Sequence, residues 1–468
     1  NQAHRTDDPE HDMPENHAAQ PPTEPASAFQ LSFSSIGSTR VQAVFDEPDL
    51  SSDGGTLLLR EAAEANGIVA AMARALRDSR SQAHVKHTHL ELIMQRVLQI
   101  CQGYEDANDC DVLREDSAFR VAVGRRPDAE PLASQPTMRR LENSIGRRDL
   151  LRLFYAVVDT FIDSYASAPP CMVIDMDPTT NRVYGGQQMG LFNAHYDDYC
   201  LMPFHVYEGL TGRLITAVVR PGKTPTDTEI LGLLKRIVRR IRGRFPDTVL
   251  IFRADSHHTK PAVLDWLEAH NVRYVLGMAT NAVLRREVQP LVDRASAEHR
   301  ETWQPFRAFH SFDYGAGSWS RPRRIVARVE ATALGTDARF IVTDIENVSA
   351  RKLYDKVYCD RGNAELMIKE HKCFLKSSRT SCTRAEANQF RMFVHSAAYV
   401  IMHGLRETVL NGTQWATATF ETIRLRLLKV AARVETGRTF VRFHLPAGSP
   451  AADVFRRTSM VAAARAGT

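Results

Sequence analysis

Hydrophobic and polar positions repeat with two different periods along the chain, and these periods predict helices and strands. From 56 to 165, apolar residues recur every three to four positions, which is typical of amphipathic helices. The short apolar runs CMVIDM at 171–176 and TVLIFRAD at 248–255 are typical of buried strands. Residues 302–345 alternate in the β manner. The pattern therefore predicts an α/β protein in which helices precede a sheet.

Further elements follow from the same reading. A strand or hairpin is expected over 31–48, and the SSDGG at 51–55 predicts a turn that leads into a helix. A helix at 227–244 has one apolar stripe with most of its basic residues outside it, so these form either a solvated face or a ridge that contacts phosphate. Long helices are expected at 360–376 and 384–410.

Length and composition limit the class of protein. The chain has 468 residues, of which 43% are hydrophobic, so it can form more than one sizeable core and is not disordered throughout. Residues 1–30 are rich in Pro, Asp and Glu and are expected to be a disordered tail. No stretch reaches the roughly 18 apolar residues that cross a bilayer, so we expect a cytoplasmic protein without a membrane partner. The seven cysteines form no CxxC and indicate neither a disulfide framework nor a zinc ribbon.

Charge is unevenly distributed. The first 60 residues carry a net charge of −7, whereas the whole chain carries +5, so the remaining 408 residues carry +12. A basic body favours a polyanionic partner through counterion release, although many enzymes without such a partner have a similar balance.

Acidic residues stand at the ends of predicted elements. Asp175 and Asp177 are two apart on one strand and so project from the same face. Asp255 closes the next long strand, at the edge where open α/β sheets usually place their sites. Glu365 lies on a predicted helix. Converging carboxylates of this kind can hold two divalent ions, preferably Mg²⁺ or Mn²⁺, for phosphodiester chemistry.

The residues around Glu365 favour a phosphate-facing helix. Tyr358, Arg361, Glu365 and Lys372 share one stripe if helical geometry runs through them, and Lys369 extends the polar surface. An acid flanked by two bases suits a metal-bound phosphate, because the acid can ligate the ion while the bases contact phosphate oxygens. A solvated helix with internal salt bridges is the alternative.

This segment, YCDRGNAELMIKEHK at 358–372, resembles the signature of DDE transposases of bacterial insertion sequences, and the rest of the chain is similar to the 1380 family in particular. The resemblance covers roughly residues 40–430. The motifs that support it are SSDGG (51–55), LLLRE (57–61), GYEDANDCDVLRED (103–116), LASQPTMRRLEN (132–143), YGGQQMGLFNAHYDDY (184–199), RPGKTPT (220–226) and RADS (253–256).

The resemblance implies an RNase-H-like catalytic core with a β-rich insertion, preceded by a mostly helical N-terminal domain that binds DNA. With the tail, the expected segments are 1–30 (tail), 31–168 (N-terminal domain), 169–280 (first part of the core), 281–355 (insertion), 356–430 (second, helical part of the core) and 431–468 (C-terminal extension).

The resemblance also implies an activity, which is metal-dependent cleavage at terminal inverted repeats and transfer of the 3′-OH into target DNA. Asp177 or Asp175, Asp255 and Glu365 would be the catalytic residues and would ligate two Mg²⁺ ions, for which Mn²⁺ can substitute. The partner would be double-stranded DNA, bound by a dimer when two ends are paired, in the bacterial nucleoid.

Several assignments stay open at this stage. The Asp-Pro-Thr context favours Asp177 over Asp175 as the first acid. His257 either orients water or contacts phosphate, or it is a solvated loop residue. Arg220 either binds phosphate or caps a turn. Phosphate contacts are otherwise expected from Tyr358 and the bases around Glu365.

Two other functions fit parts of the sequence. VIDMDPTT matches the DxDxT motif of haloacid-dehalogenase-like phosphatases, in which the first Asp, here Asp175, is the nucleophile. A catalytically silent DNA-binding relic of a transposase would keep the same fold and charge.

Overall fold

The structure is a computed structural model that describes residues 31–467. The predicted tail at 1–30 lies outside the described residues. Residues up to Leu50 form a unit of their own, in which strands β1 (Leu31–Ile36) and β2 (Thr39–Ala43) make the predicted antiparallel hairpin. Gly37 has φ of 60° in its turn, a conformation that glycine adopts without strain. The short strand β3 (Leu50–Ser51) follows.

Helices fill the stretch from 56 to 163, as the apolar period predicts. The helices are α1 (Thr56–Asn66), α2 (Ile68–Ala75), α3 (His89–Gln102), α4 (Asp109–Leu113), α5 (Ser117–Val123), α6 (Gln135–Ser144) and α7 (Arg147–Asp163), with a 3₁₀ turn at Gln82–His84. The start of α3 shows why local sequence predicts such elements well. Thr88 accepts a hydrogen bond from the backbone N–H of Glu91, whose carboxylate accepts one from the N–H of Thr88, which is a capping box.

From 171 to 343 the elements are mainly strands, with three α-helices among them. They are β4 (Cys171–Pro178), β5 (Asn181–Arg182), β6 (Leu191–Asn193), β7 (Asp198–Leu201), β8 (Phe204–Glu208), β9 (Leu214–Val218), α8 (Asp227–Arg244), β10 (Val249–Ala254), α9 (Pro261–Ala269), β11 (Val272–Met278), α10 (Ala282–Thr302), β12 (Phe306–Tyr314), β13 (Arg323–Thr332) and β14 (Gly335–Thr343). The apolar stripe predicted on α8 is buried.

The last part of the described chain is mainly helical. An irregular helical segment at 350–374 consists of α11 (Ala350–Lys352), a π turn (Leu353–Tyr358), a 3₁₀ turn (Cys359–Arg361), α12 (Gly362–Lys369) and a second π turn (Glu370–Phe374). After it come α13 (Ala385–Glu407), α14 (Phe420–Ile423) with a π turn (Arg424–Leu428), β15 (Ala432–Thr436), β16 (Val441–His444) and α15 (Ala452–Ala466). None of the helices between residues 31 and 467 is long and apolar enough to span a membrane.

One large mixed sheet organises the chain from Ser51 onward, which is a single compact unit. Its strand order is β12-β13-β14-β11-β10-β4-β8-β9. Strands β4, β10 and β11 run parallel, and every other neighbouring pair is antiparallel. The small strands β5, β7 and β6 form a separate antiparallel sheet in that order. Because β4 and β10 have neighbours on both sides, their backbones are paired and their register is strongly determined.

From Ser51 onward, the predicted segments share this unit. Helix α13 packs against α1, α3 and α7 of the N-terminal part and against β9 of the sheet, and its side chains are buried along most of its length. Strands β12, β13 and β14 of the predicted insertion extend the central sheet beside β11. The insertion is not β-rich at its start, because the 21-residue helix α10 occupies it. Pro290 lies inside that helix, which weakens a sequence-based assignment.

A buried ion pair joins the two central strands. Arg253 on β10 donates from Nε and Nη2 to the two carboxylate oxygens of Asp175 on β4, both at 2.6 Å, and neither side chain is more than 2% exposed. A third donor, Nη1, reaches the carbonyl of Val357 at 2.6 Å. Gly209 passes so close that a Cβ there would lie 2.5 Å from both charged groups. The pair therefore connects β4, β10 and the helical segment at 350–374.

Removing one partner of this pair should be strongly destabilising. Arg253→Met leaves the Asp175 carboxylate buried without its counter-charge, so we expect a loss of about 3–5 kcal/mol in the free energy of unfolding, measured by urea denaturation. Asp175→Asn combined with Arg253→Met should recover part of this loss. Arg240→Met, which breaks the exposed pair with Asp159, is the matched control and should cost less than about 1 kcal/mol. An equal loss in both single variants would contradict the assignment.

Candidate active site

The register of the central strands brings two of the candidate acids to one edge. In the parallel pairing of β4 with β10, Asp175 stands beside Arg253. Two positions further along, Asp177 near the end of β4 and Asp255 just after β10 lie at the same level. This edge is the carboxyl end of two parallel strands, which is where α/β sheets commonly form sites.

Asp175 and Asp177 share a face, as their spacing predicts, but only Asp177 reaches the edge. Both oxygens of Asp175 are engaged by Arg253 beneath the 350–374 segment, and the residue is 1% exposed. The side chain of Asp177 is 19% exposed. A phosphatase of the haloacid-dehalogenase type would need Asp175 as an accessible nucleophile, so its burial argues against that alternative.

Asp177 is influenced by one cation, Arg361, and by two other acids, Asp255 and Glu365. Its Oδ2 is 3.2 Å from Nη1 of Arg361. Burial raises the pKa of Asp177 to about 6; Arg361 opposes this shift, while the charges of Asp255 and Glu365 add to it. The same guanidinium lies 3.5 Å from Glu365, so Arg361 connects Asp177 to that acid.

Two histidines hold Asp255. Its Oδ1 accepts hydrogen bonds from the backbone N–H of His257 at 3.0 Å and from Nδ1 of His258 at 2.8 Å, and its Oδ2 accepts one from Nδ1 of His257 at 2.9 Å. Burial acts to raise the pKa of Asp255, but the bonds from His258 and His257 outweigh it and hold the pKa well below its ordinary value. His257 is exposed, whereas His258 is fully buried and packs near Phe204 and Phe252. Asp255 is therefore an ionised and oriented carboxylate.

Arg361 bridges the edge of the sheet to Glu365. Its Nη2 lies 3.5 Å from Oε1 of Glu365, whose side chain is 66% exposed. Tyr358 sits behind Arg361 with its hydroxyl against Gly277, where a Cβ would lie 2.7 Å from that oxygen. Burial raises the pKa of Tyr358, and Arg361 opposes the shift. Tyr358, Arg361 and Glu365 thus meet Asp177 and Asp255, although π and 3₁₀ turns interrupt the helix.

The remaining predicted bases lie in different settings. Lys372 donates to the hydroxyl of Thr179 at 3.2 Å and to the carbonyl of Thr180, so it ties the helical segment to the loop after β4. Lys369 is exposed on α12.

Arg220 does not join the acids. It is 4% exposed, donates to the carbonyls of Met202 and Lys223 and to Glu229, and stacks on Phe204 at 4.9 Å. Of the two roles open for Arg220, this geometry matches the turn cap.

Sequence reasoning missed the role of Arg253. The signal was available, because an arginine inside the buried strand TVLIFRAD requires a buried acceptor. Which acid accepts from it could not be read from the sequence, because the register of β4 and β10 decides that.

The three acids of the candidate site offer the type of ligand that a hard divalent cation binds. Asp177, Asp255 and Glu365 supply only carboxylate oxygens, which Mg²⁺ and Mn²⁺ prefer. Two of these acids raise the pKa of the third, and Arg361 supplies the positive charge between Asp177 and Glu365. Within residues 31–467, no three His, Cys, Asp or Glu side chains are close enough together to form a metal-binding group. The residues thus match such an ion in ligand type, although the described side chains are not gathered into one binding group.

Because the pKa of Asp177 is raised, replacing its carboxylate should stabilise the folded chain, and the gain should depend on pH. Between its ordinary pKa of 3.8 and about 6, the folded chain holds the Asp177 proton more tightly than the unfolded chain, so this group lowers the free energy of unfolding as pH rises. Asp177→Asn should therefore melt at a higher temperature than wild type at neutral pH, and the difference should shrink toward pH ~4, with EDTA present throughout. Asp247→Asn, at an exposed site elsewhere, should follow wild type. A pH-independent difference for Asp177→Asn would contradict this prediction.

Comparisons with known proteins show the family of the chain. The family model described as "Transposase DDE domain group 1" matches residues 33–465. Among solved structures, the chain is similar to piggyBac transposase in a synaptic complex with hairpin DNA, seen by cryo-EM, with 11% identity, a TM-score of 0.42, and coverage of 79% of this chain and 78% of that one. No curated protein matches the chain. Because the family model spans nearly all of the chain, the protein belongs to the DDE transposases, enzymes of DNA transposition and recombination.

Proposed function

We propose that the protein cleaves DNA at terminal inverted repeats of an insertion sequence and joins the freed 3′-OH to target DNA. The observation that carries the proposal is the alignment of Asp177 and Asp255 at one sheet edge, with Glu365 approaching from the 350–374 segment through Arg361. The motifs shared with the 1380 family support an element of that kind.

We further propose that the core of the unit is RNase-H-like. The supporting feature is the group β9-β8-β4-β10-β11, an antiparallel meander followed by two parallel strands. In this interpretation the strands β12, β13 and β14 are an addition to the edge of the core sheet.

Each residue of the site has a proposed role. Asp177, Asp255 and Glu365 would hold two Mg²⁺ ions, or Mn²⁺ in their place. When bound, such ions stabilise the attacking and leaving oxygens of an in-line phosphodiester displacement. His258 keeps Asp255 oriented, and exposed His257 beside it would contact the phosphate or a water at the scissile bond.

The basic residues near these carboxylates, and Asp175, would bind phosphate or position neighbouring groups. Arg361 would move from the carboxylates to a phosphate oxygen when DNA binds, and exposed Lys369 would contact the backbone beside it. Lys372 would position the loop after Asp177 through Thr179 and Thr180. Asp175 is proposed as a positioning residue and not as a ligand, because Arg253 occupies both of its oxygens.

The partner in this proposal is double-stranded DNA, both element ends and target. The basic body of the chain supports binding to the phosphate backbone. Pairing two ends calls for a dimer on DNA, acting at the bacterial nucleoid in the cytoplasm.

Strand nicking tests the proposal. On a duplex that carries the inverted repeat flanking the coding region, Asp255→Asn and Glu365→Gln should each lower the nicking rate at least about 1000-fold in Mg²⁺, because each removes a ligand charge needed in the transition state. Binding of the same duplex, measured by a gel shift, should persist.

Matched controls are Asp247→Asn and Glu298→Gln, both exposed acids outside the site. They should nick at the wild-type rate. Unchanged nicking in Asp255→Asn would refute the assignment of the site. Binding without nicking by the wild type would favour the silent relic instead.

A further inference from the structure

The small sheet β5-β7-β6, which follows directly after the catalytic strand β4, exposes large aromatic side chains. Tyr184, Phe192, Tyr196 and Tyr199 are each between 46 and 73% exposed. Single exposed apolar residues are common on protein surfaces, but several within sixteen residues form a patch that indicates a binding surface. We call these four residues the aromatic patch.

The aromatic patch stands on a firm support. Phe192 and Tyr199 face each other across β6 and β7, with ring centroids 5.6 Å apart. Val183, next to β5, and Leu201 of β7 are buried and pack into a cluster with Met392 of α13. Phe192 and Tyr199 are therefore held out to solvent by paired strands, while Tyr184 follows β5 and Tyr196 lies in the turn between β6 and β7.

The patch adjoins the candidate active site. Strand β5 begins four residues after Asp177 and pairs with β7, which carries Tyr199. Lys372 of the 350–374 segment donates to Thr179 and Thr180 in the loop between β4 and β5. Burial, and then the charges of Asp177 and Asp255, raise the pKa of Tyr196 in the turn between β6 and β7. A strand that enters the carboxylates would thus pass this sheet.

Polar groups next to the rings suit a nucleic acid. Arg182 lies over the ring of Tyr184 at 5.7 Å and pairs with Asp198. Gln187 has a side-chain oxygen that is buried and makes no hydrogen bond within the described residues. Stacking rings, a cation and an amide are the groups by which proteins bind unpaired bases.

We propose that the aromatic patch stacks unpaired nucleotides of the DNA strand at the cut end. The inference rests on the proposed function, because proximity to the cleavage site is what selects DNA as the occupant. Stacking is tolerant of base identity, since every base has a flat face, so the patch would hold a displaced strand whatever its sequence. The aromatic residues of the predicted insertion serve this role less well, because Tyr314 and Trp319 pack against each other.

The test compares two DNA probes in EDTA. One is a blunt duplex of about 20 base pairs, and the other carries in addition a single-stranded tail of about four nucleotides containing 2-aminopurine. Wild type should bind the tailed probe more tightly and quench the 2-aminopurine fluorescence. In Phe192→Leu combined with Tyr199→Leu, the ratio of tailed to blunt affinity should fall about 10-fold or more, as expected for the loss of stacking.

Trp303→Leu is the matched control, because Trp303 is also an exposed aromatic residue, 81% exposed, but lies at the end of α10. It should keep the wild-type ratio. A double variant with the wild-type ratio would overturn the proposal. A double variant that keeps the wild-type ratio of tailed to blunt affinity but no longer self-associates would also overturn the proposal, because the patch would then be a protein interface.

A measurement on the unmutated protein covers the case in which the double variant fails to fold. A tail carrying 5-iododeoxyuridine should crosslink on irradiation to the peptide that contains residues 184–199, and a crosslink confined to other peptides would overturn the proposal.

Nicking by wild type separates the two hypotheses. A protein that nicks but shows no tail preference refutes the aromatic patch alone, whereas a protein that prefers tails but does not nick refutes the proposed function and retains the stacking surface.

Discussion

The buried pair between Asp175 and Arg253 is the interaction on which the site depends. It lies between the two central parallel strands, where a shift of register would separate the charges and leave both without a partner. With that register in place, Asp177 and Asp255 come out at one level of the sheet. The third donor of Arg253 reaches the carbonyl of Val357 and so positions the helical segment that carries Arg361 and Glu365.

The sheet edge concentrates negative charge, and the chain compensates for it in two different ways. Asp255 is stabilised in its ionised form by two histidines, one buried and one exposed. Asp177 has Arg361 as its main opposing charge, and its pKa is raised to about 6. A site that keeps acids close together at a cost in stability is typical of function, because packing alone would not select it.

The architecture makes this edge rigid. Strands β4 and β10 lie inside an eight-stranded sheet, extended on one side by β12, β13 and β14. The N-terminal helices are joined to the sheet through the buried helix α13. Residues predicted as separate segments thus share one core, which suits a site whose side chains must be held in a narrow range of positions.

The sequence by itself determined most elements and named the acids of the candidate site. Helix α8 was predicted at its observed bounds from its apolar stripe, which is a local signal, and the structure adds a capping box of Thr226 and Glu229 at its start. Local signals also marked Asp177, Asp255 and Glu365. Only the tertiary structure distinguishes the settings of Asp175 and Asp177, since the two share a strand face and a distant strand brings Arg253 beside Asp175. The buried role of Arg220 and the joining of the insertion to the sheet were likewise decided by partners far away in the chain, which local periodicity does not encode.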